Sequence, residues 1–364
     1  MNIIISGGGT GGHIFPAIAI ANAFRRQVPG VNILFVGAEN RMEMERVPDA
    51  GYPIIGLPVA GFNRRKLWKN IPVLFKLYKS MRKAKNVIKD FRPDLVIGVG
   101  GYASGPVLKV AQKKNIPTLI QEQNSYAGVT NRMLAKKADA ICVAYHGMDR
   151  FFKNSNIILT GNPIRSNILD CPLTKEEAKR QLGFPEDRPL VAVVGGSLGA
   201  LTLNKSAEAA IDAFEKEGIS MLWQTGKSYA AEAEKACRGL NNIKAMPFVK
   251  NMDVLYKGAD LIVSRAGAST ISELQQVGTP AVLVPSPNVS EDHQRHNAEA
   301  LVNKNAAVMI LDADCGSLFT QTVITLLKDN GRLKELRHNI LQMGRECASA
   351  DSHIVDEAIK ILKK

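Results

Sequence analysis

Short apolar runs alternate along the chain with longer stretches in which apolar residues recur at helical spacing. Residues 2–6, 32–36, 94–99, 118–121 and 140–144 are rich in Val, Ile and Leu with little polar alternation, the pattern of buried parallel strands. Helical-period stretches such as residues 13–27 and 105–114 lie between them. Pro16 falls near the start of the first, where a missing N–H costs least. The pattern restarts after about residue 165. A second strand set is expected at 190–194, 220–224, 243–246, 261–264, 281–285 and 308–311, with helices at 204–217 and 269–277 among them. Two more helices, 333–347 and 353–362, end the pattern. Strands alternating with helices predict a parallel sheet covered on both faces. Two such series predict an α/β protein of two doubly wound domains, joined near the turn cluster Gly161-Asn162-Pro163.

Composition narrows the class. The chain has 364 residues, 45% of them hydrophobic and 22% charged, ordinary globular usage and enough for about two domains. No apolar run reaches the ~18 residues of a transmembrane helix. The first residues, Met1-Asn2-Ile3-Ile4-Ile5-Ser6, read as a strand and not as a signal peptide. Cys142, Cys171, Cys237, Cys315 and Cys347 are odd in number and far apart, which fits a reducing cytoplasm better than a disulfide framework or a zinc ribbon. The formal net charge of +13 asks for an anionic partner.

The candidate chemistry sits in loops after strands. Ser6-Gly7-Gly8-Gly9-Thr10-Gly11-Gly12-His13 lies between a strand and a helix, where backbone N–H groups and the helix N-terminus meet phosphate. It also satisfies G-x-G-x-x-G. With Glu39 as a ribose acid it fits a nicotinamide dinucleotide site, and a tight strand–helix turn accounts for it equally. Gly98-Val99-Gly100-Gly101-Tyr102-Ala103-Ser104-Gly105-Pro106 is a second such loop, and the two suggest one crevice. Gly195-Gly196-Ser197-Leu198-Gly199-Ala200 mirrors the first loop in the second half. Ser264 to Glu273 follows a strand with small residues, and Glu273 could accept two bonds from a sugar diol. Ser269 or Thr270 could instead simply cap the helix. His293 and His296 are three apart, yet no further ligand pattern accompanies them. Polar contacts to sugar or phosphate suit that segment better than a metal.

Other patterns bear on the class. No Walker A sequence occurs, and Asp312-Ala313-Asp314 has the letters of a nucleotide-metal motif but lies late, before a Cys-Gly pair. Gly195 to Gly199 matches the hydrolase elbow G-x-S-x-G by letters, but Ser197 closes the first strand of its half, earlier than that fold places its nucleophile. Residues 64–89 hold Arg64, Arg65, Lys66, Lys69, Lys76, Lys79, Arg82, Lys83, Lys85 and Lys89, interleaved with Trp68, Leu74, Phe75 and Tyr78. Such a stretch lies on an anionic bilayer, or forms a domain helix with a basic outer face. Nucleic acid is a weaker third reading, since no recognised binding motif accompanies the charge.

Taken in order, Gly8 to Pro16, Gly100 to Pro106, Gln121-Glu122-Gln123-Asn124, Gly161-Asn162-Pro163-Ile164-Arg165, Gly195 to Ala200 and Arg265 to Thr270 resemble the MurG family of peptidoglycan N-acetylglucosaminyltransferases over nearly the whole chain. The resemblance implies a GT-B fold of two Rossmann-like domains facing across a cleft. It implies an acceptor- and membrane-facing domain at residues 1–162 with 341–364, the last helix returning to it, and a donor domain at 163–340. The implied reaction moves N-acetylglucosamine from its UDP ester to the 4-hydroxyl of the muramoyl sugar of lipid I. Lipid II forms with inversion, without metal or cofactor, at the cytoplasmic face of the plasma membrane.

By the family pattern, Arg165 and Ser197 contact the diphosphate, and Val249 lies beside uracil. Ala268, Ser269 and Thr270 hold phosphate and ribose, with Glu273 on the ribose hydroxyls. Gln294, Thr10, Gly11, Gly12 and Asn124 contact the donor sugar. His293 stands where some relatives carry a second Gln. Tyr102, Ser104, Asn131 and Lys136 are acceptor-side candidates. His13, beside the glycine loop and of the residue type most often used for proton transfer, is the expected general base, with a sugar or phosphate contact as its alternative role. The expected partners are UDP-N-acetylglucosamine, lipid I and an anionic membrane surface, and not nucleic acid. A related transferase with another lipid acceptor and a nicotinamide oxidoreductase are the alternatives.

Overall fold

The computed structural model describes residues 1–61, 71–153, 155–165, 168–169, 171–196 and 198–363, and within them the side chains of all but residues 71 and 290. The chain forms two compact units, Met1–Arg165 with Cys347–Lys364, and Ser166–Glu346.

The first unit holds β1 (Asn2–Ser6), α1 (Gly11–Gln27), β2 (Asn32–Ala38), α2 (Glu43–Asp49), β3 (Ile54–Leu57), α3 (Ile71–Phe91), β4 (Leu95–Gly98), α4 (Ser104–Lys113), β5 (Thr118–Glu122), α5 (Val129–Leu134), β6 (Ala140–Val143) and β7 (Ile157–Leu159). Its seven strands run in the order β3-β2-β1-β4-β5-β6-β7, every pairing parallel. Alternation within β1 sends Ile3 and Ile5 to one face, in a core with Ile14, Ile20 and Phe24 of α1. Ile4 goes to the other, with Ala84, Val87 and Ile88 of α3 and Leu108 of α4. A sheet covered on both sides has no wet face to encode, which is why its strands read as unbroken apolar runs.

The second unit holds α6 (Lys175–Gln181), β8 (Leu190–Val194), α7 (Leu201–Ala209), α8 (Ile211–Lys216), β9 (Ser220–Gln224), α9 (Ala230–Ala236), β10 (Ile243–Met246), α10 (Met252–Gly258), β11 (Leu261–Ser264), α11 (Ala268–Val277), β12 (Ala281–Leu283), α12 (His293–Val302), β13 (Val308–Met309), α13 (Cys315–Lys328) and α14 (Asn330–Arg345). Six parallel strands run β10-β9-β8-β11-β12-β13. Trp223, fully buried, anchors the core and donates its indole N–H to Asn204 at 2.9 Å. The last helix, α15 (Ala350–Leu362), belongs to the first unit and buries Ile354, Val355 and Ala358 in the α1 face of its core.

Three expectations change. Strands β3 and β7 are additional; they are short, and Gly56 interrupts the apolar run of β3. The single helix expected over 204–217 is two, broken at Ala210. The strands expected to reach Pro285 and Leu311 end at Leu283 and Met309, because a proline cannot donate to a ladder and β13 pairs only two residues. Of the basic stretch, residues 62–70, with Arg64, Arg65, Lys66, Trp68 and Lys69, lie outside the described residues. Among the described residues no helix is long and apolar enough to cross a membrane.

Candidate active site

In each sheet the strand order reverses beside the first strand of the series, at β1/β4 in the first unit and β8/β11 in the second. Loops leaving the carboxyl ends of two such strands diverge and open a crevice. All of the glycine loops singled out above leave these four strands.

In the first unit the loops after β1 and β4 touch through their backbones. Gly101 has φ +82°, and a Cβ there would stand 2.3 Å from the carbonyl oxygen of Gly8. Gly100 has φ +92°, and a Cβ there would stand 2.8 Å from Nε2 of His13. A side chain at Gly100 would therefore displace the imidazole. His13 is the third residue of α1, half-buried, with Nδ1 3.2 Å from Oγ1 of the exposed N-cap Thr10. Gly11 and Gly12 form the rest of that first turn, which carries no acidic residue and so presents the positive end of the helix dipole. Arg165, half-buried, stands 5.7 Å from the Phe15 ring centroid, within this same unit.

The back of the glycine loop is filled by a residue that the sequence reading passed over. Glu43 is 1% exposed, and its carboxylate accepts from the N–H of Gly9 and of Ala38, each at 2.9 Å. A dinucleotide pyrophosphate would need that amide and would meet a buried negative charge. Glu39, the expected ribose acid, pairs instead with Lys83 at 2.9 Å. The G-x-G-x-x-G letters therefore lack the electrostatics of a nicotinamide site.

A second buried carboxylate organises the loop after β5. Glu122 accepts from the backbone and side-chain nitrogens of Asn124 at 3.1 and 3.3 Å, from Gly128 N–H at 2.9 Å and from Asn131 Nδ2 at 2.9 Å. Asn131 is thus buried and held inward. Ser104 is also buried, its hydroxyl donating to Gly101 O at 2.9 Å within its own loop. Tyr102 is 57% exposed and Lys136 is exposed. Behind them, Gln121 Nε2 donates to Asn162 Oδ1 at 2.8 Å, Asn162 Nδ2 to Gln123 O at 2.9 Å, and Gln123 Nε2 to Val99 O at 2.8 Å. This amide chain joins the end of the unit to the β4 loop. Its members stood in the quoted motifs, but their mutual bonds carry no signal in sequence.

In the second unit Ser197 lies outside the described residues. Around it, Gln224 at the end of β9 donates to Gly196 O at 2.8 Å and accepts from Val249 N–H at 3.0 Å. This buried amide, absent from the sequence reading, ties the glycine loop after β8 to the segment that contains Val249. Val249 is itself buried, while Phe248 beside it is 54% exposed. Ala268, Ser269 and Thr270 form the first turn of α11 behind its N-cap Gly267. Ser269 Oγ is buried without a hydrogen-bond partner, and neither Ser269 nor Thr270 caps the helix, so the capping reading of this turn does not hold. Glu273 is buried one turn on and accepts from Tyr256 Oη at 2.9 Å.

Gln294 Oε1 accepts from Ser286 N–H at 2.9 Å, so its NH2 is the part with hydrogens to give a ligand. Just before it, Glu291 and Asp292 are both left-handed, φ +57° and +49°, a costly pair for non-glycine residues. His296 Nδ1 is 3.4 Å from Glu299, and among the described residues no three His, Cys, Asp or Glu side chains gather as a metal set.

Family models place the chain. The glycosyltransferase family 28 N-terminal domain matches residues 3–143 and the C-terminal domain matches 190–351. A protein of Parabacteroides distasonis is 52% identical over 100% of this chain and 98% of its own length, and one of Phocaeicola vulgatus is 54% identical over 94% and 92%. Both carry the name UDP-N-acetylglucosamine–N-acetylmuramyl-(pentapeptide) pyrophosphoryl-undecaprenol N-acetylglucosamine transferase. The crystal structure of Acinetobacter baumannii MurG is 29% identical and superposes with a TM-score of 0.79 over 99% of both chains. The calicheamicin glycosyltransferase CalG4, at 15% identity, shares the fold with a TM-score of 0.71 over 100% of this chain and 98% of its own. With two parallel Rossmann-like sheets, each opening a loop crevice at its switch point, the chain belongs to glycosyltransferase family 28 and has the GT-B fold.

Proposed function

We propose that this chain transfers N-acetylglucosamine from UDP-N-acetylglucosamine to the 4-hydroxyl of the N-acetylmuramoyl unit of lipid I, giving lipid II. The observation that carries the reading is the end-to-end likeness, at 52% and 54% identity, to proteins named for that reaction. The site chemistry supports it. In the second unit, the first turn of α11 would take the donor's phosphate and ribose, Ser269 Oγ and the helix N–H groups donating and Glu273 accepting from the ribose hydroxyls. Val249 would lie beside uracil. Gln294 would donate to the sugar, and Ser197 and Arg165 would meet the diphosphate.

In the first unit, Thr10, Gly11, Gly12 and Asn124 would contact the sugar being moved. Tyr102 and Lys136 would meet the acceptor. Ser104 and Asn131 would act from behind, because their polar atoms are held inside the loop. His13 would take the proton of the 4-hydroxyl as its oxygen attacks the anomeric carbon opposite the diphosphate. The bond from that carbon to the β-phosphate oxygen breaks, UDP leaves with the electron pair, and the imidazolium returns its proton to water. Stabilising the charge that develops on the leaving diphosphate falls to N–H donors and Arg165. The scheme needs no cofactor.

The lipid-linked acceptor calls for docking at the cytoplasmic face of the inner membrane. Helix α3 supports this. Leu74, Phe75, Leu77 and Tyr78 are exposed, Phe75 by 69%, among exposed Lys76, Lys79 and Arg82. Apolar side chains gain by entering a bilayer and nothing by meeting a nucleic-acid backbone. Labelled UDP-N-acetylglucosamine offered with a lipid I analogue or with diacylglycerol tests the acceptor. Disaccharide product with the first alone is expected. Transfer to diacylglycerol alone would move the chain to the related lipid transferases.

A further inference from the structure

The Asp312-Ala313-Asp314 triplet and Arg265 have no part in the scheme above, and the structure joins them. Arg265 is the first residue after β11, ahead of the proposed donor turn. An arginine so near a diphosphate site would by charge be expected to grip the ligand. One terminal nitrogen of its guanidinium is engaged elsewhere. Nη1 donates to the carbonyls of Val284 and Pro285 at 3.1 and 3.3 Å and pairs with Asp312 Oδ1. The other carboxylate oxygen of Asp312 accepts from Thr202 Oγ1 at 3.0 Å. Thr202 is the second residue of α7, where the glycine loop after β8 ends. The next amide after Pro285, that of Ser286, donates to Gln294 Oε1 at 2.9 Å. One polar chain thus runs Thr202–Asp312–Arg265–Pro285, and through the adjacent residue to Gln294. It links the three loops assigned to diphosphate, ribose and sugar. Both charged side chains are largely buried, with 16% and 22% exposed.

We propose that Asp312 is a positioning residue for donor binding. It anchors one end of Arg265 and fixes the three loops in one arrangement before the UDP-sugar arrives. A carboxylate serves where an amide would not. It accepts from two donors at once, and it balances a guanidinium that would otherwise be half-buried without a counter-charge. Fixing the loops in advance removes ordering cost from the binding step. Asp312 of the triplet therefore serves Arg265 and Thr202.

This rests on the donor site proposed above, so the test separates the two. UDP and UDP-N-acetylglucosamine affinities, KM and kcat are measured for the wild-type chain and for Asp312→Asn, Arg265→Lys and Thr202→Val. We expect donor Kd and KM to rise about tenfold in Asp312→Asn, with kcat at saturating donor within about threefold. Thr202→Val keeps the ion pair and loses only the tie to α7, so a rise of a few-fold is expected and Tm should hold. Asp312→Glu should recover most of the affinity. Unchanged donor affinity in folded Asp312→Asn and Thr202→Val would overturn the inference. Tighter donor binding in Asp312→Asn would also overturn it, since Arg265 would then be a ligand held in reserve. If the wild-type chain binds no UDP-sugar, the functional reading itself fails, whatever the variants do.

Discussion

At the residue scale the chemistry proposed for the first unit comes down to how one imidazole is held. His13 lies between the Thr10 hydroxyl and the bare Cα of Gly100, so its ring position is set by a polar contact on one side and a missing side chain on the other. Replacing His13 with Ala should lower kcat by about 10²–10⁴ while leaving UDP-sugar affinity within about twofold. Steady-state kinetics and calorimetric titration read the two separately. Equal losses in both would make His13 a binding contact and not the base. The sequence singles out His13 and Glu273 as candidates by their offset from a glycine loop or a helix start, and Gln294 by the family resemblance. Glu43, Glu122 and Gln224 are not among these candidates. The partners of Glu43 and Gln224 are distant in sequence, Gly9 for the one and Val249 for the other; those of Glu122 lie in its own loop, but no local pattern marks an acid that will be buried against amides.

At the scale of elements, the apolar runs located most strands because both faces of each sheet are covered. Boundaries and short edges escaped, as β3, β7 and the break at Ala210 show: packing, not local pattern, decides them. One helix is fixed by charge. Asp260, ahead of β11, pairs with Lys175 and with Lys179 of α6, the latter at 3.0 Å, and accepts from Leu190 N–H at 2.8 Å. Burial pushes its carboxyl up, but the hydrogen bonds from Lys175 and Leu190 and the lysine charges outweigh this and hold it below the usual carboxylate range. A depressed pKa gives stability that is full above the unfolded value of about 3.9 and is lost as pH falls through the folded value. Asp260→Asn should therefore cost about 2 kcal/mol at pH 7. The difference from wild type should shrink in denaturant titrations below about pH 4. A pH-independent difference would show that the charge is not what docks α6.

Helix α3 makes a different claim. Its inner face packs Ala84, Val87 and Ile88 into the core, which accounts for half of its pattern and leaves the apolar residues of its first half exposed. Phe75→Ser with Tyr78→Ser should weaken binding to anionic vesicles about tenfold or more and leave UDP affinity intact. Added salt should weaken the wild-type interaction too, through the screened lysines. Vesicle co-sedimentation that ignores both changes would remove α3 from the docking surface.

For the whole molecule, the sequence reading and the structure agree on two doubly wound sheets because the same βα pattern is written twice. The return of the chain to the first unit is less legible, since α15 looks in sequence like any amphipathic helix. Its burial of Ile354 and Val355 against α1 is a long-range fact. The proposed division of labour is the central claim: a base in one unit, the nucleotide contacts in the other, and one direct displacement between the two substrates. Proton NMR of the disaccharide formed from UDP-N-acetylglucosamine and a lipid I analogue tests it most directly. A product entirely β-linked to the muramoyl 4-hydroxyl is the expected result. An α-linked product would mean retention, and it would contradict both the single displacement and the role given to His13.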